Sequence, residues 1–265
     1  MVRPFKAAVL QFRIDMGAVE ANAGRAFALL RQASEGGAAL CVLPEMWSTG
    51  FAYDRLPSLA RTTPEILHDL RAFASENRVV IAGSLPERAG NSVYNTLYVV
   101  NATGAVTGQY RKAHLFRPSG EDLHFRKGTK AELALTDLGA IGPLICYDLR
   151  FPELSRKYFL EGATLFCVSA QWPSVRKAHW ELLNVARAVE NQLFVVASNA
   201  VGRSGEFHFS GGSLILSPWG ERLATGGEDE GVAMALIDPS QVVEARRRIP
   251  CAQDRNERAY RMTRR

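Results

Sequence analysis

The chain has 265 residues, 47% of them hydrophobic and 22% charged, which excludes a disordered, collagenous or coiled-coil protein and suffices for one large α/β domain with a sizeable core. The formal net charge of +5 and the pI near 9.2 raise nucleic acid or an anionic membrane as partners until the surplus is located. It is not spread out: residues 244–265 carry eight Arg against three acids, and the rest of the chain balances at 24 basic and 24 acidic residues.

Short apolar runs alternate with helical patterns from end to end. Ala7-Ala8-Val9-Leu10 reads as a strand, and Ala26, Leu29, Leu30 and Ala33 lie at helical spacing within 19–35, which Gly36-Gly37 stops. Ala39 to Leu43 reads as a buried strand. Thr63-Pro64-Glu65 looks like an N-cap, a proline at the first helical position and an early acid, opening a helix to about Asn77. Val79 to Gly83 is a strand. Leu97 to Val100 and Val106 to Tyr110 flank Asn101-Ala102-Thr103-Gly104 as a hairpin. Residues 113–130 look polar and loop-like. Ile141 to Ile145 is a strand, Pro152 starts a helix that ends near Gly162, and Thr164 to Val168 is a strand. A helix over about 177–190, then strands at Leu193 to Ser198, Gly212 to Leu216 and Val232 to Ile237, complete one α/β domain with layered sheets.

Several chemistries lack their residues. The apolar run after Lys6 stops at Gln11, too short for a signal peptide, and no run approaches the ~20 residues of a membrane span. The four cysteines (41, 146, 167 and 251) form no CxxC, so they read as free thiols in a reducing, cytoplasmic compartment. No two glycines are separated by a single residue, which excludes a dinucleotide-binding GxGxxG loop. There is no Walker A sequence and no HExxH, and His114 and His124 make a poor metal signal. No metal and no organic cofactor is expected.

Cys146 ends an apolar strand six residues before the helix start at Pro152. A thiol in a tight strand-to-helix connection is expected to be exposed and near helix amides, a setting that favours thiolate. Cys41 and Cys167 lie inside apolar strands and read as structural. A nucleophilic Cys needs a base and an oxyanion stabiliser. Glu45, after Leu43-Pro44, would be lifted out of the core at a sheet edge, and Lys112 follows the strand that ends at Tyr110. Taken singly, Glu45 reads rather as a solvated loop acid and Lys112 as a surface cation; they converge only if their strands are neighbours.

Leu43-Pro44-Glu45-Met46-Trp47, Tyr110-Arg111-Lys112-Ala113-His114-Leu115-Phe116 and Ile145-Cys146-Tyr147-Asp148-Leu149-Arg150-Phe151-Pro152-Glu153 resemble the three catalytic signatures of the nitrilase superfamily, the carbon–nitrogen hydrolases. The spacings of 67 and 34 residues between Glu45, Lys112 and Cys146 match as well. Similarity continues through Gln171-Trp172-Pro173, Ala178-His179-Trp180-Glu181, Ala186 to Gln192 and Ser217-Pro218-Trp219-Gly220, and so covers nearly the whole chain. The resemblance implies a four-layer α-β-β-α sandwich. It further implies Cys146 as nucleophile, Glu45 as general base, and Lys112 with the Tyr147 backbone N–H as oxyanion hole. A second glutamate is implied in the loop between Lys and Cys; Glu121 matches best, with Asp122 adjacent as the alternative.

True nitrilases follow the Cys with Trp-Glu-Asn, whereas Tyr147-Asp148-Leu149-Arg150-Phe151 looks like the amidase side. Trp172-Pro173 with Arg176, and Ala186 to Gln192, resemble bacterial omega-amidases, which act on the terminal amides of 2-oxo acids such as 2-oxoglutaramate and 2-oxosuccinamate. The partners implied are such an amide and water, with Arg176 clamping the far carboxylate and Trp172 and Phe51 walling the pocket. The rival substrates are deaminated glutathione and N-carbamoyl compounds. A Cys phosphatase fails because position 152, six after the Cys, is Pro rather than Arg. The family also implies a homodimer in which the sheets extend across the interface. It implies one hydrolase domain over 1–243, with 244–265 a basic tail docked on the body or the dimer partner. A docked tail removes the argument for nucleic acid or membrane.

Overall fold

The computed structural model describes residues 2–260. In chain order the strands are β1 (Phe5–Gln11), β2 (Ala38–Val42), β3 (Val80–Ala89), β4 (Ser92–Val100), β5 (Val106–Arg111), β6 (Ala134–Thr136), β7 (Gly139–Ile145), β8 (Leu165–Ala170), β9 (Phe194–Asn199), β10 (Val201–Ser204), β11 (Phe207–Ser210), β12 (Leu214–Leu216), β13 (Arg222–Thr225) and β14 (Gly231–Ile237). The helices are α1 (Val19–Glu35), α2 (Leu56–Leu59), α3 (Thr63–Asn77), α4 (Glu121–His124), α5 (Pro152–Leu160), α6 (Lys177–Asn191) and α7 (Ser240–Arg248).

The strands form two six-stranded sheets, ordered β14-β1-β2-β3-β4-β5 and β13-β12-β9-β8-β7-β6, and β10 with β11 makes a separate two-stranded ribbon. The centre of each sheet is parallel, β1-β2-β3 in one and β7-β8-β9 in the other. Strand pleating explains the layering, because alternate side chains leave opposite faces. Ala7, Val9, Leu40, Val42, Val80 and Ala82 enter one core shared with the second sheet. Their neighbours Ala8, Leu10, Cys41 and Ile81 enter another, beneath Leu30 of α1 and Ile66, Leu70 and Phe73 of α3. Tyr158 of α5 and Trp180 of α6 cover the second sheet from outside. The result is the expected order of helices, sheet, sheet, helices. The Ser198 hydroxyl donates to the Leu10 carbonyl at 2.5 Å and that of Ser169 to the Leu43 carbonyl at 2.8 Å, joining the two sheets.

Four expectations need correction. Strands β3 and β4 run on to Ala89 and back from Ser92, because their outer halves carry Glu87, Arg88, Asn95 and Thr96, which interrupt the apolar signal although they pair in register. Residues 113–130 are not all loop: α4 forms within them. Thr63 is the first helical residue rather than the cap, and its hydroxyl donates instead to the Pro86 carbonyl at 2.5 Å. Helix α7 runs through residue 243, so no boundary falls there. Its Val242 and Ala245 are buried, Gln192 Nε2 donates to the Ala245 and Ile249 carbonyls, and Arg246 donates to the Ala163 carbonyl. Of the tail arginines, Arg261, Arg264 and Arg265 lie outside the described residues. Among the described residues, no helix is long and apolar enough to cross a membrane.

Candidate active site

The four polar residues singled out in the sequence lie on segments that leave β2, β5 and β7. Glu45 follows β2 on a connection that reaches across the sheets: its N–H donates to the Ala170 carbonyl of β8, and Met46 N–H to the Ser84 hydroxyl of β3. Lys112 follows β5, with its N–H on the Asn95 carbonyl of β4 and its carbonyl held by Gly128 N–H. Gly128 is required there, since a Cβ would lie 2.0 Å from the Arg111 carbonyl. Cys146 opens a 3-10 turn, Cys146–Arg150, directly after β7. Met46 (φ 46°) and Cys146 (φ 44°) both adopt the left-handed backbone that non-glycine residues rarely take, so each chain bends sharply as it leaves its strand.

The turn at Cys146 is pinned from two sides. Asp148, fully buried, accepts from Ile145 N–H, the Tyr110 hydroxyl and the backbone and ring of His114. Arg187 of α6 reaches the Leu149 carbonyl with two nitrogens. Asp148 thereby ties the segment bearing Lys112 to the segment bearing Cys146.

Lys112 Nζ lies 2.7 Å from Glu45 Oε1 and 2.8 Å from both oxygens of Glu121. Burial alone would strip the proton from this ammonium, but the Glu121 and Glu45 carboxylates outweigh it and hold Lys112 charged. The carboxyl of Glu121 is pushed up to about 7, first by burial and then by Glu45, with Lys112 opposing. Phe116 N–H also donates to Glu121. Helical rotation separates the two adjacent acids: Glu121 is buried on Lys112, whereas Asp122 turns outward to Arg117. Gln171 N–H donates to Glu45 Oε2, and its side-chain amide to the Glu45 carbonyl.

Cys146 is not the exposed, thiolate-favouring residue its position suggested, nor is Glu45 lifted clear of the core. Both side chains are buried, because the segments that leave β2 and β7 meet between the sheets. Burial first, and the hydrogen-bonded Glu45 next, push the Cys146 thiol well up, with Lys112 pulling the other way. The sulfur is thereby held toward its thiol form beside the Glu45 carboxyl. Burial also pushes the Cys41 thiol up to about 12, as fits a structural cysteine, and all four cysteines are free.

A cavity of about 240 Å³ opens onto Glu45, Glu121 and Cys146. Phe51, Tyr147 and Trp172 wall it, as do Phe116 and the β10–β11 ribbon. Two cations line it: Arg176 lies over the Phe116 ring at 5.3 Å and Arg150 over the Trp172 ring at 4.9 Å. The Trp172 indole donates to the Arg176 carbonyl at 2.8 Å. The sequence reading passed over Asn95, Asp148, Arg150 and Gln171 as site residues. Their one available signal was a polar residue at a strand position or in the turn after one. Among the described residues, no group of three or more His, Cys, Asp or Glu is placed to hold a metal ion.

The family model for carbon-nitrogen hydrolase matches residues 6–247. The chain is 39% identical to the 2-oxoglutaramate amidase of Bacillus subtilis (strain 168), over 95% of this chain and 97% of that protein. It is 35% identical to the omega-amidase YafV of Escherichia coli (strain K12), over 82% of this chain and 84% of that one. Among solved structures it resembles a carbon-nitrogen hydrolase from Helicobacter pylori G27 with a TM-score of 0.92 and 26% identity, covering 98% and 97% of the two chains.

Proposed function

The chain belongs to the carbon-nitrogen hydrolase family, and from that premise we propose that it is an omega-amidase, a thiol hydrolase that releases ammonia from the terminal amides of 2-oxo acids such as 2-oxoglutaramate and 2-oxosuccinamate. The observation that carries the reading is one cavity floored by Cys146, Glu45 and Glu121, with Lys112 buried against both carboxyls and two arginines in the wall. The floor suits hydrolysis of an amide, and the arginines suit a substrate whose other end is anionic.

Glu45 takes the thiol proton as Cys146 sulfur attacks the amide carbon. The oxyanion so formed is met by the Lys112 ammonium and the Tyr147 backbone N–H. Two of the three Lys112 hydrogen bonds go to one carboxylate, Glu121, so one proton can turn to the oxyanion while Glu121 keeps hold of the other. Glu45 then delivers its proton to the leaving nitrogen, and ammonia departs. Water, giving a proton to Glu45, attacks the thioester; the acid leaves and the thiol is restored. Arg176 receives the distal carboxylate, with Trp172 and Phe51 holding the carbon chain between. The enzyme works as a cytoplasmic homodimer, a reading the free cysteines and the family support; light scattering tests the dimer.

The test is ammonia release from a panel of 2-oxo omega-amides, ureido acids and nitriles, beside Cys146→Ala. Fastest turnover of 2-oxoglutaramate or 2-oxosuccinamate is expected. Preference for a ureido acid or a nitrile would overturn the substrate class, and an active Cys146→Ala would overturn the mechanism.

A further inference from the structure

We propose that Asn95 is a positioning residue that, with Lys112, closes one oxygen of Glu45 to protons, so that the proton of Cys146 is carried on the other oxygen, Oε2. The inference rests on the reading of Glu45 as the base and deepens it.

The two oxygens of Glu45 are not equivalent. Oε1 accepts from Asn95 Nδ2 at 2.8 Å and from Lys112 Nζ at 2.7 Å. Both partners are donors only, and together they fill the two lone pairs of that oxygen, leaving no place for a proton. Oε2 accepts one bond, from Gln171 N–H at 3.1 Å, and keeps a lone pair open. The same Gln171 supplies the carbonyl that accepts from the Cys146 sulfur at 3.9 Å, so one residue contacts both Oε2 and the thiol.

Asn95 is fully buried, and its own Oδ1 has no hydrogen-bond partner. A buried acceptor left bare costs free energy, and turning the amide over would only place that oxygen against the Glu45 carboxylate. The amide thus gives up one bond to keep Nδ2 on Glu45. The backbone of Asn95 adds a second constraint, since its carbonyl holds Lys112 N–H at 2.8 Å. One residue of β4 therefore sets both the base and the cation. Gln171 meets the Glu45 carboxylate only through its backbone N–H, which any residue but proline supplies, while its side chain reaches the Glu45 main-chain carbonyl; the Asn95 contact with the carboxylate depends on its side chain.

The ionisable groups around Glu45 are Lys112 at the exit of β5, Glu121 of α4, Cys146 at the exit of β7 and Tyr53 beyond β2. Of these, only Lys112 also donates to Oε1. Without the Asn95 amide, Oε1 gains an open lone pair and can take a proton that Cys146 and the leaving nitrogen do not reach. A carboxylate stripped of a donor also holds its proton more readily.

The experiment measures kcat and KM against pH for Asn95→Leu and Asn95→Asp on the fastest amide of the substrate panel, with Glu45→Gln alongside. For Asn95→Leu, a fall in kcat of about 10²-fold is expected, with KM within about threefold and the acid limb of the profile moved to higher pH. Asn95→Asp keeps the shape and donates only while protonated. It is expected to retain activity at low pH and to show a new basic limb, which a merely structural role would not create. If Asn95→Leu does not fold, the Asp variant carries the test. An Asn95→Leu enzyme with unchanged kcat and acid limb, or an Asn95→Asp enzyme with no new limb, would overturn the role of Asn95 while an inactive Glu45→Gln leaves the base assignment standing. A fully active Glu45→Gln would overturn the base assignment and this proposal together.

Discussion

The floor and the mouth of the cavity hold charge in opposite ways. On the floor, Lys112, Glu45 and Glu121 are all buried, and Lys112 Nζ lies within 2.8 Å of an oxygen of each carboxyl. At the mouth, Arg150 and Arg176 rest on the faces of Trp172 and Phe116, and no carboxylate pairs with either guanidinium among the described residues. Desolvated charges that neutralise one another give a fixed geometry, which transition-state stabilisation needs. Cations held by aromatic faces keep most of their hydrogen-bonding capacity for an incoming anion, although Arg150 shares one nitrogen with His179 Nδ1 at 3.2 Å. One region is closed on its own partners; the other leaves cationic surface open to the cavity.

The sharpest way to break this contrast is at the sulfur. Cys146→Ala is expected to lower kcat by at least about 10⁴-fold in an ammonia-release assay, with the unfolding temperature little changed. Next comes Lys112→Met, which strands two buried carboxylates and should cost about 3–5 kcal/mol of stability in denaturant unfolding as well as activity. No substitution at the mouth should destabilise comparably. An equally stable Lys112→Met protein would show that the floor is not a neutralised cluster.

Glu121 sharpens the same point through pH. Its folded carboxyl is pushed up to about 7 from an unfolded value of 4.5, so the folded state binds more protons between those limits. The contribution from Glu121 is therefore fully present below about pH 4.5 and lost as pH rises through about 7. Glu121→Gln should remove that part of the fall, seen as a flatter unfolding temperature between pH 5 and pH 8. At the mouth, Arg176→Gln should raise KM for a 2-oxo acid amide by about 10- to 100-fold, leave kcat within a few-fold, and leave KM for an uncharged amide unaltered. Equal losses on both amides would remove Arg176 from carboxylate recognition. The smallest effect belongs outside the cavity: Glu244, at the surface beside Arg247 and Arg248, should be replaceable by Gln with no measurable change in unfolding temperature or rate.

The two regions were also unequally legible in the sequence. Glu45, Lys112 and Cys146 follow apolar strands and sit in signatures of fixed spacing, so their identity was readable, and the layers followed from alternating apolar runs. Their burial was not readable, because a polar residue just past a strand looks like a surface residue until the opposing sheet is known. Glu121 and Asp122 are adjacent acids, and only the turn of α4 separates the inward one from the outward one. Asn95 was hidden because β4 mixes polar residues into its first half, where the apolar pattern fails while the backbone pairing continues. At the mouth, Arg176 and Trp172 were named, but Arg150 and the β10–β11 ribbon reach the cavity through tertiary packing that no local pattern encodes.

The left-handed bends at Met46 and Cys146 belong to different sheets, and the groups they aim meet only where the two layers press together. Glu45 and Lys112 hang from one sheet and Cys146 from the other, with Asp148 and Gln171 as the stitches between them. The Cys146–Glu45 pair consequently has no address within either half of the chain. Neither sheet can be excised, swapped or loosened on its own while keeping a fraction of the chemistry. Turnover is therefore a gauge of whether the seam is shut, and an enzyme whose layers have slipped apart should be silent long before its strands have melted.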